Sequence, residues 1–315
     1  MRFPTYEQME KLLQQPVRRI TEYRRNWLVQ TNQQTWVAKR MQSSTKLRWL
    51  LSIDSELRSR GFTAMPPIRS DLKHWILTPW IEGKTCQYTN LHEVKKVIRV
   101  LATFHRTGRH LQTPPIKGAA FLLTHRLYDR LVQFYQILKE RDTIPGEVGE
   151  LLRTYGSEFY QHGLNVWEKL QSLPLDELNW REYQWHFLAH RDLASHNWLI
   201  DQAGKVWLID FETADYDCQL SDVWQITTRI LSSNGWNAQV CKQIFSTYEA
   251  IRPLNSLEKT IIYILFSFPN EFFRECIGII KKKRGYRPEN TLPYLKRIIQ
   301  DQANWREFLK QLPTW

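Results

Sequence analysis

The pattern of apolar and polar residues changes about eighty residues into the chain. Before that point, the runs Asn26–Thr31 and Thr35–Met41 are short, rich in aromatic and β-branched residues, and joined by the polar segment NQQ. This pattern predicts two strands with a turn between them. A third apolar run, His74–Lys84, predicts another strand that breaks at Pro79 and Gly83.

Leucines recur at helical spacing between these strands. Leu47, Leu50 and Leu57 lie on one stripe of the segment Thr45–Ser59, which predicts a helix. Gly61 follows at the position where a residue in the left-handed conformation commonly ends a helix.

The remainder of the chain is predominantly helical in pattern. Two longer helices are indicated at about 121–141 and 147–173, and a hairpin of two apolar strands, NWLI and KVWLID around DQAG, interrupts the series. The sequence therefore predicts an α+β fold with two lobes. Residues 1–81 form a small strand-rich lobe with one main helix, and residues 82–315 form a large, mostly helical lobe.

Polar groups gather at the open end of the predicted hairpin. Antiparallel pairing returns Asn197 and Asp210 to the same end, and Asp192 lies five residues upstream of Asn197 on the entering loop. An amide oxygen and a carboxylate are hard ligands that suit Mg²⁺. Asp192 could face such a metal without binding it, as a general base must. A D-x4-N spacing alone is common by chance, and either group could merely cap a turn.

Composition narrows the class of protein. The 315 residues are 42% hydrophobic and include 14 tryptophans, as is typical of a globular chain. The four cysteines form no CxxC pair, which favours a cytoplasmic location over a disulfide framework. No signal peptide or membrane span is indicated. A net charge of +12 favours phosphate-bearing partners, but no nucleic-acid-binding motif accompanies it, so nucleic acid is not an expected partner.

The segments HRDLASHN (residues 190–197) and IDFE (residues 209–212) resemble the catalytic loop and the metal-binding segment of the protein-kinase-like superfamily. The longer stretch IDFETA is more similar to the choline kinase and aminoglycoside phosphotransferase group. This resemblance implies a protein-kinase-like fold and an ATP-dependent kinase. Asp192 would be its catalytic base, and Asn197 and Asp210 would hold Mg²⁺. It also implies bracing roles for His190 and for Asp222, which would tie the loop to the following helix.

The small lobe matches the same family. WVAKR resembles the strand that carries the phosphate-binding lysine, which would be Lys39. Val37 shares its strand face and would contact adenine. The glutamate that pairs with this lysine should lie on the next helix, where Glu56 is the candidate and Asp54 the rival.

The segment TPWIEG falls where the hinge between the lobes belongs, so the backbone near Trp80 and Ile81 would bind adenine. One departure from the family concerns the glycine-rich loop that covers the nucleotide phosphates. The connector EYRR stands in its place and has no glycine, although Arg24 and Arg25 could contribute charge there.

The acceptor side indicates a small-molecule kinase. Only eight residues separate Glu212 from Ser221, and no APE motif follows, so the long activation segment of regulated protein kinases is missing. The helical insert at residues 111–183 would lie beside the acceptor site, as in small-molecule phosphotransferases. Its aromatic residues could line a pocket, although aromatic residues at helical spacing more often form a core. They are Phe121, Tyr128, Phe134, Tyr135, Tyr155, Tyr160 and Trp167.

Over its length the chain is similar to the spore-coat kinase-like family typified by CotS, because VAKRM, TPWIEGK, LATFHRTG and FPNEFFRE occur in that family's order. This similarity implies a role in sporulation, association with the spore coat and coat proteins as partners. Two hypotheses result. The chain is a kinase for a hydroxyl group on a small molecule or coat component, or it is a kinase-shaped structural or adaptor protein without activity.

Overall fold

A five-stranded antiparallel sheet forms the N-terminal part of the computed structural model, which describes residues 3–117, 122–283 and 285–312. The strand order is β1-β2-β3-β5-β4. The strands are β1 (Val17–Tyr23), β2 (Asn26–Thr31), β3 (Thr35–Arg40), β4 (Arg69–Ser70) and β5 (Trp75–Pro79).

One face of this sheet is covered by helix α1 (Tyr6–Leu13), which starts with a capping box between Thr5 and Gln8. Met9 and Leu13 of α1 are buried against the sheet and complete a small core of their own. The sheet residues of this core are Val17, Ile20, Trp27, Val29, Trp36, Ala38, Trp75 and Leu77.

Helix α2 (Ser44–Ser59) follows β3, and its N-cap residue is Ser43, whose hydroxyl accepts the Lys46 N–H. Its buried residues Leu47, Ile53 and Leu57 belong to the core of the helical part of the chain and not to the core under α1. The main helix of the small lobe is therefore anchored in the large lobe by its apolar face.

Eleven further helices make up most of the remaining described residues. A π-helical turn at Leu152–Gly156 joins the fifth helix to the sixth. They are α3 (Leu91–Thr107), α4 (Leu123–Lys139), α5 (Gly146–Leu151), α6 (Ser157–Gln171), α7 (Leu175–Gln184), α8 (Leu220–Ser233), α9 (Ala238–Glu249), α10 (Ser256–Phe266), α11 (Asn270–Ile280), α12 (Pro288–Gln300) and α13 (Gln302–Gln311).

The hairpin of the large lobe lies in a three-stranded sheet of order β6-β8-β9, made of β6 (Gly83–Thr85), β8 (Trp198–Asp201) and β9 (Val206–Leu208). A two-stranded pair, β7 (Leu188–Ala189) and β10 (Asp215–Tyr216), flanks the catalytic loop.

The predicted fold class is confirmed, since a strand-rich N-terminal part precedes a mostly helical one. The run predicted as one strand at His74–Lys84 is two strands in different sheets. Gly83 permits this, because a Cβ there would clash with the Ile200 carbonyl of β8. The division at residue 81 stays a prediction. Residues 118–121 of the insert, including the candidate Phe121, lie outside the described residues. None of the helices described here is long and apolar enough to cross a membrane.

Candidate active site

The loop that carries Asp192 is held in place by hydrogen bonds to a buried carboxylate. Asp222 at the start of α8 is fully buried, and its two oxygens accept the backbone N–H groups of His190 at 2.6 Å and Arg191 at 2.8 Å. Arg191 has a left-handed backbone (φ 68°), which is costly for a non-glycine residue. The bracing role expected for Asp222 thus agrees with its contacts.

Two further residues of α8 continue this support. Gln225 Oε1 accepts the Leu193 N–H at 2.5 Å, and Arg229 Nη1 lies 3.9 Å from Asp192 Oδ1. Residues 222, 225 and 229 share one helix face, because they are three and four positions apart. Sequence reasoning did not identify Gln225 or Arg229, although this spacing was the available signal. The Asp192 side chain itself is 41% exposed, so an incoming hydroxyl group can reach it.

His190 contacts the segment that carries Asp210 through a hydrogen bond and a ring contact. It is fully buried, and burial lowers the pKa of its imidazole despite the nearby Asp222 and the hydrogen bond with the Ile209 carbonyl. That hydrogen bond, at 3.0 Å, joins the catalytic loop to the residue before Asp210.

Asn197 lies at the open end of the β8–β9 hairpin. Its side chain is buried, and its Nδ2 donates to the Asp192 carbonyl at 2.9 Å, which leaves Oδ1 for another ligand. The Ile209 N–H donates to the Asn197 carbonyl at 3.0 Å. Antiparallel pairing therefore brings the backbones at Asn197 and at Asp210 side by side, as the hairpin reading expected.

Asp210 has a left-handed backbone (φ 65°), and its side chain faces the small lobe. Its Oδ1 accepts a hydrogen bond from Lys39 Nζ at 2.8 Å, and Glu212 Oε2 lies 3.0 Å from the same nitrogen. Burial raises the pKa of the Asp210 carboxyl, but the charge and hydrogen bond of Lys39 outweigh it and leave the pKa below its usual value. Glu212 is a site residue that sequence reasoning missed, although it belongs to the quoted IDFE segment.

The segment after Asp210 is anchored on both sides of Glu212. Phe211 is buried with its ring 4.8 Å from the His190 ring, and the Thr213 hydroxyl donates to the His190 carbonyl at 2.9 Å. These contacts hold the Glu212 backbone beside Lys39.

Among the described residues, Lys39 and Glu56 form no ion pair with each other, which differs from the predicted pairing. Glu56 accepts hydrogen bonds from the backbone N–H groups of Gln112 at 2.6 Å and Thr113 at 3.0 Å, and it pairs with Arg60 at 2.6 Å. Burial opposes ionisation of Glu56, yet these hydrogen bonds lower its pKa. The rival Asp54 pairs with Arg58 at 2.8 Å instead.

The face of the sheet that carries Lys39 also offers apolar surface. Val37 and Lys39 alternate with the buried Trp36 and Ala38, and cross-strand partners place Leu28 and Thr78 beside Val37. Leu28 was not among the site residues predicted from the sequence. At the predicted hinge, the Trp80 N–H donates a hydrogen bond to the Thr35 carbonyl at 2.9 Å. Among described residues, the Ile81 N–H has no protein acceptor.

The hairpin β1–β2 closes in two residues, Arg24 and Arg25, so no extended loop exists between these strands. Arg24 takes a left-handed conformation (φ 56°) at this turn. The Tyr23 ring packs edge-on against Trp80 at 5.3 Å, which places the turn near the hinge.

The insert contacts the catalytic region through Asp217. This buried carboxylate accepts the Leu123 N–H at the start of α4 at 3.1 Å, pairs with Arg126, and lies 3.5 Å from Arg191 Nε. Of the candidate aromatic residues, Phe134 is buried in the core and Tyr128 and Tyr135 are exposed, while others pack against the core: Tyr155, Tyr160 and Trp167. None of these contacts indicates an aromatic acceptor pocket.

The oxygen atoms available at this site are suitable ligands for a magnesium ion. Asn197 Oδ1 and the Asp210 carboxylate are hard oxygen ligands beside a lysine, and Mg²⁺ typically takes one or two protein carboxylates together with phosphate oxygens. No cluster of three or more His, Cys, Asp or Glu residues suited to a metal occurs within the described ranges. Any ion here would therefore take its remaining ligands from water or from a bound nucleotide.

Comparison with known proteins gives a consistent result. A family model described as the phosphotransferase enzyme family matches residues 17–254. Spore coat protein S of Bacillus subtilis (strain 168) is 19% identical over 313 residues, covering 92% of this chain and 87% of that protein.

Solved structures share the fold. An aminoglycoside phosphotransferase from Alicyclobacillus acidocaldarius superposes with a TM-score of 0.80 at 16% identity, covering 94% of this chain and 91% of the other. The choline kinase LicA from Streptococcus pneumoniae gives a TM-score of 0.58 at 16% identity, covering 96% and 97% of the two chains, and LicA is also known in complex with AMP.

Proposed function

Because the chain belongs to the phosphotransferase enzyme family, we propose that it is an ATP- and Mg²⁺-dependent kinase that phosphorylates a hydroxyl group. The observation that carries this proposal is the 2.8 Å contact between Lys39 Nζ and Asp210 Oδ1. This contact joins the sheet that carries Lys39 to the hairpin segment that carries Asp210, which supports a site shared by the two.

The residues take complementary roles. Asp192, held on the braced loop and exposed, orients the acceptor hydroxyl and accepts its proton. Lys39 binds phosphate oxygens of the nucleotide, and Asn197 and Asp210 hold the magnesium. When bound, the magnesium would neutralise charge on the nucleotide phosphates. Val37, together with the backbone of Trp80 and Ile81, contacts adenine.

The acceptor is proposed to be a small molecule or a spore-coat component. The segment between Glu212 and α8 is too short for a peptide-binding platform, and helix α4 of the insert lies beside the catalytic loop through Asp217. Both features favour a small acceptor.

Calorimetry with Mg·ADP and a phosphoryl-transfer assay with Mg·ATP test the proposal. Asp210→Asn should weaken Mg·ADP binding at least tenfold. Asp192→Ala should lower transfer by about a thousandfold while leaving the Mg·ADP Kd within threefold, since a positioned base contributes about 10²–10⁴ in rate. Asp176→Ala, an exposed acid on α7, is the matched control. A wild-type protein that binds no Mg·ADP, or an Asp192→Ala variant with normal turnover, would contradict the proposal.

A second candidate is a kinase-shaped coat protein without activity. It is favoured by the likeness to spore coat protein S and by the glycine-free turn at Arg24 and Arg25. Recovery of the chain in the spore-coat fraction of its host, together with absent nucleotide binding, would support this candidate over the enzyme.

A further inference from the structure

We infer that Glu212, and not an acidic residue of α2, is the positioning residue that directs Lys39 to the nucleotide phosphates. Lys39 Nζ has two acidic neighbours, Asp210 Oδ1 at 2.8 Å and Glu212 Oε2 at 3.0 Å. Both come from the large lobe. The small lobe contributes no ion-pair partner to this lysine among the residues that the structure describes.

The two acids of α2 are committed to other groups. Glu56 receives two backbone N–H groups, the Thr113 hydroxyl and the Arg60 guanidinium, and Asp54 pairs with Arg58. Releasing Glu56 would leave those donors unpaired, which costs more than one exposed ion pair returns. Helix α2 therefore cannot supply the partner of Lys39 in this arrangement.

Glu212 is suited to remain the ion-pair partner of Lys39 when Asp210 binds another ligand. In the proposed function, on which this inference rests, Asp210 holds magnesium and cannot remain the principal partner of the lysine. Phe211 and Thr213 are both anchored to His190, so the Glu212 backbone stays in place during that change. A lysine has four rotatable side-chain bonds, and a carboxylate on an anchored backbone beside it limits where the ammonium can lie.

A second use of Glu212 would be as a metal ligand, and the two roles differ in a measurable way. A positioning carboxylate acts through Lys39, so its removal should matter little once the lysine is gone. A metal ligand acts through Mg²⁺, so its removal should weaken metal-bound nucleotide whether or not the lysine is present.

Two double-mutant cycles on the full chain separate these roles. The first combines Lys39→Met with Glu212→Gln, and the second combines Lys39→Met with Glu56→Gln. Each protein is titrated with Mg·ADP and with ADP in EDTA by calorimetry, and unfolded with urea in parallel.

We expect Glu212→Gln to weaken binding of both ADP forms about tenfold in the wild-type background and less than twofold in the Lys39→Met background. Glu56→Gln should leave both Kd values within twofold while lowering the urea midpoint. The inference is overturned if Glu56→Gln is the change that couples to Lys39. It is equally overturned if Glu212→Gln has no effect, or acts only on Mg·ADP and equally in both backgrounds.

Failure of the proposed function has a different signature, namely a wild-type protein that binds no Mg·ADP. In that case, the urea midpoints of the Lys39–Glu212 cycle test whether the two side chains interact, independently of nucleotide binding. Non-additive midpoints for Lys39 and Glu212 support it, and additive midpoints overturn it.

Discussion

Two antiparallel hairpins contribute to the candidate site, and they do so with opposite ends. The β1–β2 hairpin presents its closed end, a two-residue turn of Arg24 and Arg25 near the hinge. The β8–β9 hairpin presents its open end, where Asn197 and Asp210 enter and leave the strands. Its own turn, with Gly204 in a left-handed conformation, is at the far end.

The difference lies in what holds each end. The open end of β8–β9 is fixed by buried groups, since Asp222 supports the entering loop and Phe211 packs under the leaving one. The turn of β1–β2 has an edge-on aromatic contact and otherwise exposed arginine side chains. The candidate metal ligands Asn197 and Asp210 therefore lie at the braced end, while the exposed turn has a sequence unlike that of the family.

The largest effect is expected from removing the brace. Asp222→Asn keeps the volume of the side chain but replaces one accepting oxygen by a donor that faces a backbone N–H. An unsatisfied buried pair of this kind should lower the free energy of unfolding by about 2–3 kcal/mol. Phosphoryl transfer should fall together with stability. Urea unfolding and the transfer assay measure both.

Asp201→Asn is the control for that change, because Asp201 accepts the Lys205 N–H and the Trp207 Nε1–H near the closed end of the same hairpin. Its loss should destabilise the fold much less than the loss of Asp222, since water can replace a partner at the surface. Equal destabilisation by the two substitutions would contradict the comparison between braced and exposed ends.

A smaller effect concerns the contact between α2 and the segment after Asp210. Lys46 Nζ donates to the Ala214 carbonyl, and burial lowers the pKa of Lys46 to about 8, although Asp215 partly offsets this. The unfolded chain thus binds more protons than the folded one between pH 8 and about 10.4. Stability should rise with pH across this window, by no more than about 1.4 kcal/mol per pH unit.

Urea unfolding of wild type and Lys46→Met at pH 7.5 and 9.5 measures this contribution. The advantage of wild type over the variant should increase at the higher pH, whereas Lys73→Met, at an exposed turn, should show no such change. Parallel stability curves for wild type and Lys46→Met would exclude a buried, titrating Lys46.

The smallest effect is expected at the turn of the first hairpin. Arg24→Gly removes the steric cost of a left-handed arginine and should stabilise the fold by about 0.5 kcal/mol, net of the added freedom of the unfolded chain. Gly204→Ala makes the reverse change in the second hairpin and should destabilise by about 1 kcal/mol. Thermal unfolding of the two variants checks the signs, and a shared sign would contradict this account of the turns.

The sequence was informative where motif and chain topology agree. The family resemblance and the fold class are confirmed, and a hairpin flanked by HRDLASHN and IDFE places Asn197 near Asp210 because antiparallel pairing leaves little freedom. The roles assigned to Asp192, Lys39 and the other site residues stay predictions.

The sequence pattern could not predict the ion-pair partner of Lys39. Glu56 is at a plausible distance along the chain, but its helix phase does not say which competing donors surround it. Those donors, Gln112 and Thr113, are more than fifty residues away in sequence. The support from Gln225 and Arg229 was missed for a related reason, since it depends on how α8 packs under a loop thirty residues earlier.

Helix α2 is fastened to the large lobe at both ends, by Lys46 to Ala214 and by Glu56 and Arg60 to the segment that leads to Thr113. Any movement of α2 away from the large lobe would have to break contacts at both ends of the helix. We therefore expect α2 to move together with the large lobe, while the sheet that it follows in the chain is free of these ties.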